Sequence, residues 1–87
     1  MTDTDTTDLA THERNMRALA TLAARWSSDL RVELLLRGTW TVRAVTRRHE
    51  TLAGGIGATF ADAAAECLVE LQRVTDEDDA REAEVAS

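Results

Sequence analysis

The run from Leu30 to Ile56, LRVELLLRGTWTVRAVTRRHETLAGGI, decides the fold. It holds three short alternating segments separated by two polar turns. Side chains in a strand alternate faces, so paired strands must keep their apolar sets on one side. In the first segment Leu30, Val32, Leu34 and Leu36 share a face, and Arg31, Glu33, Leu35 and Arg37 share the other. In the second, Trp40, Val42 and Ala44 alternate with Thr39, Thr41, Arg43, Val45 and Arg47. A two-residue turn at Arg37-Gly38 would set the apolar faces on opposite sides. A three-residue loop, Arg37 to Thr39, keeps them together, with Leu36 opposite Trp40, Leu34 opposite Val42 and Val32 opposite Ala44. A second loop, Arg47 to His49, then puts Ala44 opposite Leu52, Val42 opposite Gly54 and Trp40 opposite Ile56. Trp40 thereby sits mid-sheet, with the small Gly54 leaving room beside it.

Outside this meander the period changes from two to between three and four. Asp8 is a suitable N-cap, and Leu9, His12, Met16, Leu19, Ala23 and Trp26, widened by Leu22, form the apolar stripe of a helix of about five turns. Ser27, Ser28 and Asp29 favour local side-chain to backbone bonds and end it. Beyond the third strand, Thr59 to Asp62 resembles a capping box. Phe60, Ala64, Cys67, Leu71 and Val74, with Ala63 and Leu68, make a second stripe that is expected to end near Thr75. Residues 1–7 and the acidic run 76–87 read as disordered tails around a single domain over 8–75. The expected fold is therefore α+β, in the order helix, strand, strand, strand, helix, with both helices packed on the Trp40 face of a three-stranded antiparallel meander. The other face, with Leu35, Thr41, Val45, Thr51 and Ala53, is left bare.

The order of elements, together with the G-x-G-x-T of Gly55, Gly57 and Thr59 and with Ala63, is similar to the double-stranded RNA-binding domain over residues 9–74. The resemblance implies the same topology. It does not extend to that family's phosphate-contacting lysines, which would fall at Phe60, Ala61 and Ala64.

Bulk properties narrow the function. One cysteine cannot form an internal disulfide. The acidic N-terminus lacks the basic and apolar regions of a signal peptide, and no apolar run approaches the ~20 residues of a membrane helix. A soluble, cytoplasmic protein without membrane contact is expected. All ten basic residues are arginine and proline is absent, which fits a high-GC genome or a salt-adapted proteome. The net charge of -6 conceals a separation: residues 25–48 carry six arginines against Asp29 and Glu33, while the remaining acids lie elsewhere. Such asymmetry favours oriented association.

No serine, cysteine or carboxylate has a neighbouring base at a recognisable spacing, so no catalytic residue and no enzymatic activity are expected. His12 and His49 fall in different elements and no metal-ligand spacing occurs. Cys67 lies on the buried stripe, and Trp26 and Trp40 read as core. The GGIGAT link lacks the Lys-Ser/Thr of a phosphate loop, and Phe60 stands where a dinucleotide fingerprint has its third glycine. It reads as a strand-to-helix turn in which glycine supplies unusual backbone angles. No cofactor is expected.

Two surfaces remain as partner-binding candidates. One is the sheet face of Arg31, Leu35, Arg37, Arg43, Val45 and Arg47, on which Glu33 and Arg43 are placed to pair across strands. The other is the acidic helix and tail: Asp62, Glu66, Glu70, Asp76, Glu77, Asp78 and Asp79. The expected function is a small protein-binding regulator or inhibitor, encoded by a phage or other mobile element. In size and character the chain resembles inhibitors of the anti-CRISPR kind. The rivals are a nucleic-acid-binding module using Arg31, Arg43, Arg47 and Arg48, and a homo-oligomer, such as a homodimer, joined through sheet faces or edges.

Overall fold

A computed structural model describes residues 2–86, with side chains over 9–85. The elements follow the order α1 (Thr2–Arg25), β1 (Ser28–Leu34), β2 (Trp40–Thr46), β3 (Thr51–Gly57) and α2 (Phe60–Ala86). The strands form one antiparallel sheet in the order β1-β2-β3. Among the described residues, no helix is long and apolar enough to cross a membrane.

Two residues with left-handed backbone set the meander, Gly38 at φ 77° and His49 at φ 64°. Each is the last residue of a three-residue loop, the position that needs positive φ. In the first loop the Leu35 N–H donates to Thr39 O at 2.8 Å and the Gly38 N–H to Leu35 O at 2.9 Å. The loop is therefore Leu36 to Gly38, one residue earlier than parity alone placed it. Leu34, and not Leu36, pairs with Trp40, and Val32 pairs with Val42. The shift is by two in register, so each side chain keeps its face. In the second loop the Thr46 N–H donates to Glu50 O at 2.9 Å, leaving Arg47 to His49 as the loop that parity indicated.

Along β2 and β3 the face assignment changes. Val45 pairs with Thr51 and Ala44 with Ala53, so a bulge takes up Leu52. Leu52 and Ala53 both contribute to the helix side, where Ala53 is fully buried and Leu52 packs on the core. Beyond the bulge the parity of β3 is reversed relative to the expectation. Gly55 pairs with Val42 and Gly57 with Trp40, while Ile56 lies opposite Thr41 on the outer face, 53% exposed. Ala53 was expected outside and Ile56 inside; both are corrected.

The reversal has a reason in α2. A Cβ built on Gly55 would stand under 3.0 Å from both Ala63 O and the Cys67 N, and one on Gly57 would stand 2.7 Å from Asp62 Cβ. The helix backbone lies directly on the strand, and only glycine fits beneath it. These glycines belong to β3 and have no positive φ, so close approach rather than turn geometry requires them. Ala63, Ala64 and Cys67 on α2, with Ala44 and Ala53 below, keep the contact close, and Leu19, Val42 and Leu71 complete the core.

The element bounds depart from the expected ones at both ends. α1 begins at Thr2, so the backbone of residues 2–7 is helical, while Met1 lies outside the described residues. α2 does not stop at Thr75 but runs to Ala86. Thr75 is buried within it and accepts the Trp26 Nε1–H at 3.0 Å while its hydroxyl donates to Leu71 O at 2.8 Å. No proline or glycine follows to stop the helix. Its acidic C-terminal part has no basic residue of its own in the last turn. Arg25, at the end of α1, bridges to Asp79 and, at 3.9 Å, to Asp78, about two turns before that end, and so ties the extended part of α2 to α1. At the other end, Thr59 Oγ1 accepts the Asp62 N–H at 3.1 Å and caps the helix.

Cys67 is fully buried, and desolvation, with the nearby Glu70 carboxylate second, pushes its thiol up to about 11. An ordinary thiol titrates at about 8.5, so the folded state holds this proton more tightly than the unfolded one. The contribution to stability is complete below that pH and is lost as pH rises toward about 11. At pH 8 the native thiol is expected to react with a disulfide reagent at least ~100-fold more slowly than the same protein in urea. Equal labelling rates in the two states would contradict the burial.

Candidate interaction surface

Of the expected sheet-face residues, the structure brings only some together. Arg31 on β1 lies directly opposite Arg43 on β2. Glu33, the next residue along on that face, accepts from Arg43 Nη2 at 2.7 Å, the cross-strand pair that the sequence implied. Arg37 and Arg47 sit in the two hairpin loops at opposite ends of β2, about 20 Å apart by strand rise. They do not ring a common patch. Val45 is only 6% exposed, between Asp29 and Thr51 in the ladder, so it is not the bare apolar residue that was expected. Leu35 is 43% exposed at the end of β1.

The acidic set is likewise divided. Asp62, Glu66, Asp76 and Glu77 are exposed, whereas Glu70 and Asp78 are half-buried. Asp76 accepts from Gln72 at 3.0 Å. The Asp78, Asp79 and Glu82 carboxylates lie within 4.8 Å of one another, and the Arg25 guanidinium already lies against the first two. The hydrogen bond from Arg25 holds the Asp79 carboxyl below its usual range and raises Arg25. Asp76 and Glu77 instead rim a shallow groove of about 620 Å³ whose apolar floor includes Leu68 and Val69.

A feature missed in the sequence lies along β1. Val32, Leu34, Leu35 and Leu36 are 42, 58, 43 and 107% exposed, four bare apolar side chains in five residues. Parity put Val32, Leu34 and Leu36 on the covered face. Val32 and Leu34 are on that face, yet both stay largely open to solvent. The course of α1 explains why. Its C-terminal end is tied to the start of β1, where Ser28 Oγ donates to Ala23 O at 3.0 Å. Toward its N-terminus His12 meets Phe60, at the start of α2, edge-on at 5.2 Å. The helix therefore leaves β1 from its C-terminal end toward the start of α2, packing along α2, and α2 lies on β3 and β2. Phe60 also closes on Trp40 at 5.6 Å. The second half of β1 has no helix above it. The sequence held one pointer, an unbroken Leu34-Leu35-Leu36 run that serves no alternating strand.

Of the three positions that the RNA-binding resemblance would use for phosphate, two belong to the core or pack on it, and the third, Ala61, is exposed but carries no charge. Ala64 is fully buried and Phe60 packs edge-on against Trp40 and His12. Compared with protein-family models, with curated proteins and with solved structures, the chain matches none. The functional reading rests on this surface alone.

Proposed function

We propose that the chain is a non-enzymatic protein-binding module, a small regulator or inhibitor of the kind carried by phages and other mobile elements, and that it binds through β1 and the loop after it. The observation that carries this reading is the bare apolar run from Val32 to Leu36. Exposed apolar side chains gathered on one edge, rather than scattered, are what a binding surface requires. The strand also offers an unpaired backbone edge. Nucleic acid is disfavoured because, of the arginines that such a module would use (Arg31, Arg43, Arg47 and Arg48), Arg43 is already bonded to Glu33, and α2 exposes Asp62 and Glu66.

Parallel affinity capture from the source cells tests the proposal, with wild-type bait beside Leu34→Glu and Leu36→Glu bait. A protein held by the wild type and reduced about tenfold or more by either variant is the expected result, with circular dichroism unchanged. Equal capture by all three baits, or a low-salt mobility shift with duplex RNA or DNA, would overturn it.

A further inference from the structure

The occupant that fits β1 best is a second copy of β1. This rests on the reading of β1 as the contact and names what it contacts. Because the Leu35 N–H bonds to Thr39 O, the odd-numbered residues of β1 direct their backbone groups toward β2. The N–H and C=O groups of Leu30, Val32 and Leu34 consequently point away from the sheet, along its free edge.

Two-fold antiparallel pairing of such an edge admits few alignments, and charge separates them. Centred on Arg31 it would oppose arginine to arginine, and centred on Glu33, glutamate to glutamate. Centred on Leu34 it would set Arg31 against Arg37. Centred on Leu30 it would leave Leu34 unpaired. Centred on Val32, the alignment sets Arg31 of each copy opposite Glu33 of the other, and Leu30 opposite Leu34. These Arg-Glu positions fall at non-hydrogen-bonded pairs, where side chains approach most closely.

The same alignment meets two needs the single chain leaves open. Arg31 faces Arg43 across the ladder, a like-charge pair, and no acid among the described residues bonds to it. Glu33 of the second copy supplies one, and a carboxylate that already accepts from Arg43 retains lone pairs for another donor. On the helix side Val32 meets Val32 and Leu34 meets Leu30, which gives the two exposed β1 side chains of that face apolar neighbours. We infer that the chain forms a two-fold dimer through β1, centred on Val32. It makes a continuous six-stranded sheet with about six backbone hydrogen bonds across the new edge and all four helices on one face.

Sedimentation equilibrium of the full chain over a concentration series tests this, with three arms. The wild type is expected to dimerise. Arg31→Glu alone and Glu33→Arg alone each oppose like charges twice and should weaken association roughly tenfold or more. Mixing the two variants restores an acid opposite a base at both cross-edge pairs, so a heterodimer should form at wild-type strength. Both positions are exposed on the sheet surface, and circular dichroism confirms folding. A monomeric wild type, or a dimer indifferent to both substitutions, overturns the proposal. So does a mixture that associates no better than its parts. Each of these leaves the capture experiment free to support or reject binding of a different protein.

Discussion

Gly55→Ala is expected to destabilise the domain by about 3 kcal/mol or more, enough to unfold much of the population of a chain this size. In an open strand the same change would be neutral or favourable, because alanine loses less backbone entropy on folding. Here the new methyl would stand under 3.0 Å from two backbone atoms of α2, Ala63 O and the Cys67 N. No rotamer change relieves a contact between a Cβ and a helix backbone, so the helix must lift from the sheet. Lifting it opens the contact of Ala63, Ala64 and Cys67 with Val42, Ala44 and Ala53. The adjacent Gly54→Ala is the control. It faces outward, with Arg43 Cγ at 3.5 Å as its nearest neighbour, and should change stability by less than about 1 kcal/mol. Urea midpoints of the two variants decide the matter. Equal midpoints would mean that α2 does not lie on β3 as closely as described.

Leu71→Ala is the second large effect, about 2 to 5 kcal/mol. Leu71 is fully buried and packs with Leu19 and Val42 where the two helices meet the sheet. Its carbonyl also anchors the Thr75 hydroxyl that receives the Trp26 indole N–H. Truncation therefore leaves a cavity beside a buried polar chain that has little freedom to shift into it. For a domain of this length the loss corresponds to a fall in Tm of about 10 °C or more. Leu36→Ala removes the same atoms from a side chain in full solvent and should leave Tm unchanged. A thermal melt in which the two variants behave alike would refute the burial assignment.

The exposed run along β1 shows how local reading misplaced the surface. Parity assigned Val32 and Leu34 to the correct face, but a face is covered only where a helix passes over it. The path of α1 depends on Phe60 meeting His12 and on α2 resting on Gly55 and Gly57. These contacts join residues far apart in the chain, so no window of neighbouring residues reveals them. The first hairpin was more legible than the reading made it, since Gly38 is suited to the left-handed last position and by itself selects a loop of Leu36 to Gly38. The bulge at Leu52 was not legible, because it arises where α2 demands glycine beneath it.

By itself the sequence determined the order of the five elements, the two helical stripes apart from Leu9, which is 59% exposed, the inward Trp40 and the Glu33-Arg43 pair. All of these follow from periodicity and spacing within a few residues. Tertiary structure alone decided that β3 turns Ile56 outward, that Val45 is buried, that α2 runs on past Thr75 with Arg25 at its side, and that half of β1 stands uncovered. Those outcomes depend on how closely and at what slant the helices lie on the sheet. Backbone-to-backbone approach at Gly55 and Gly57 sets that geometry.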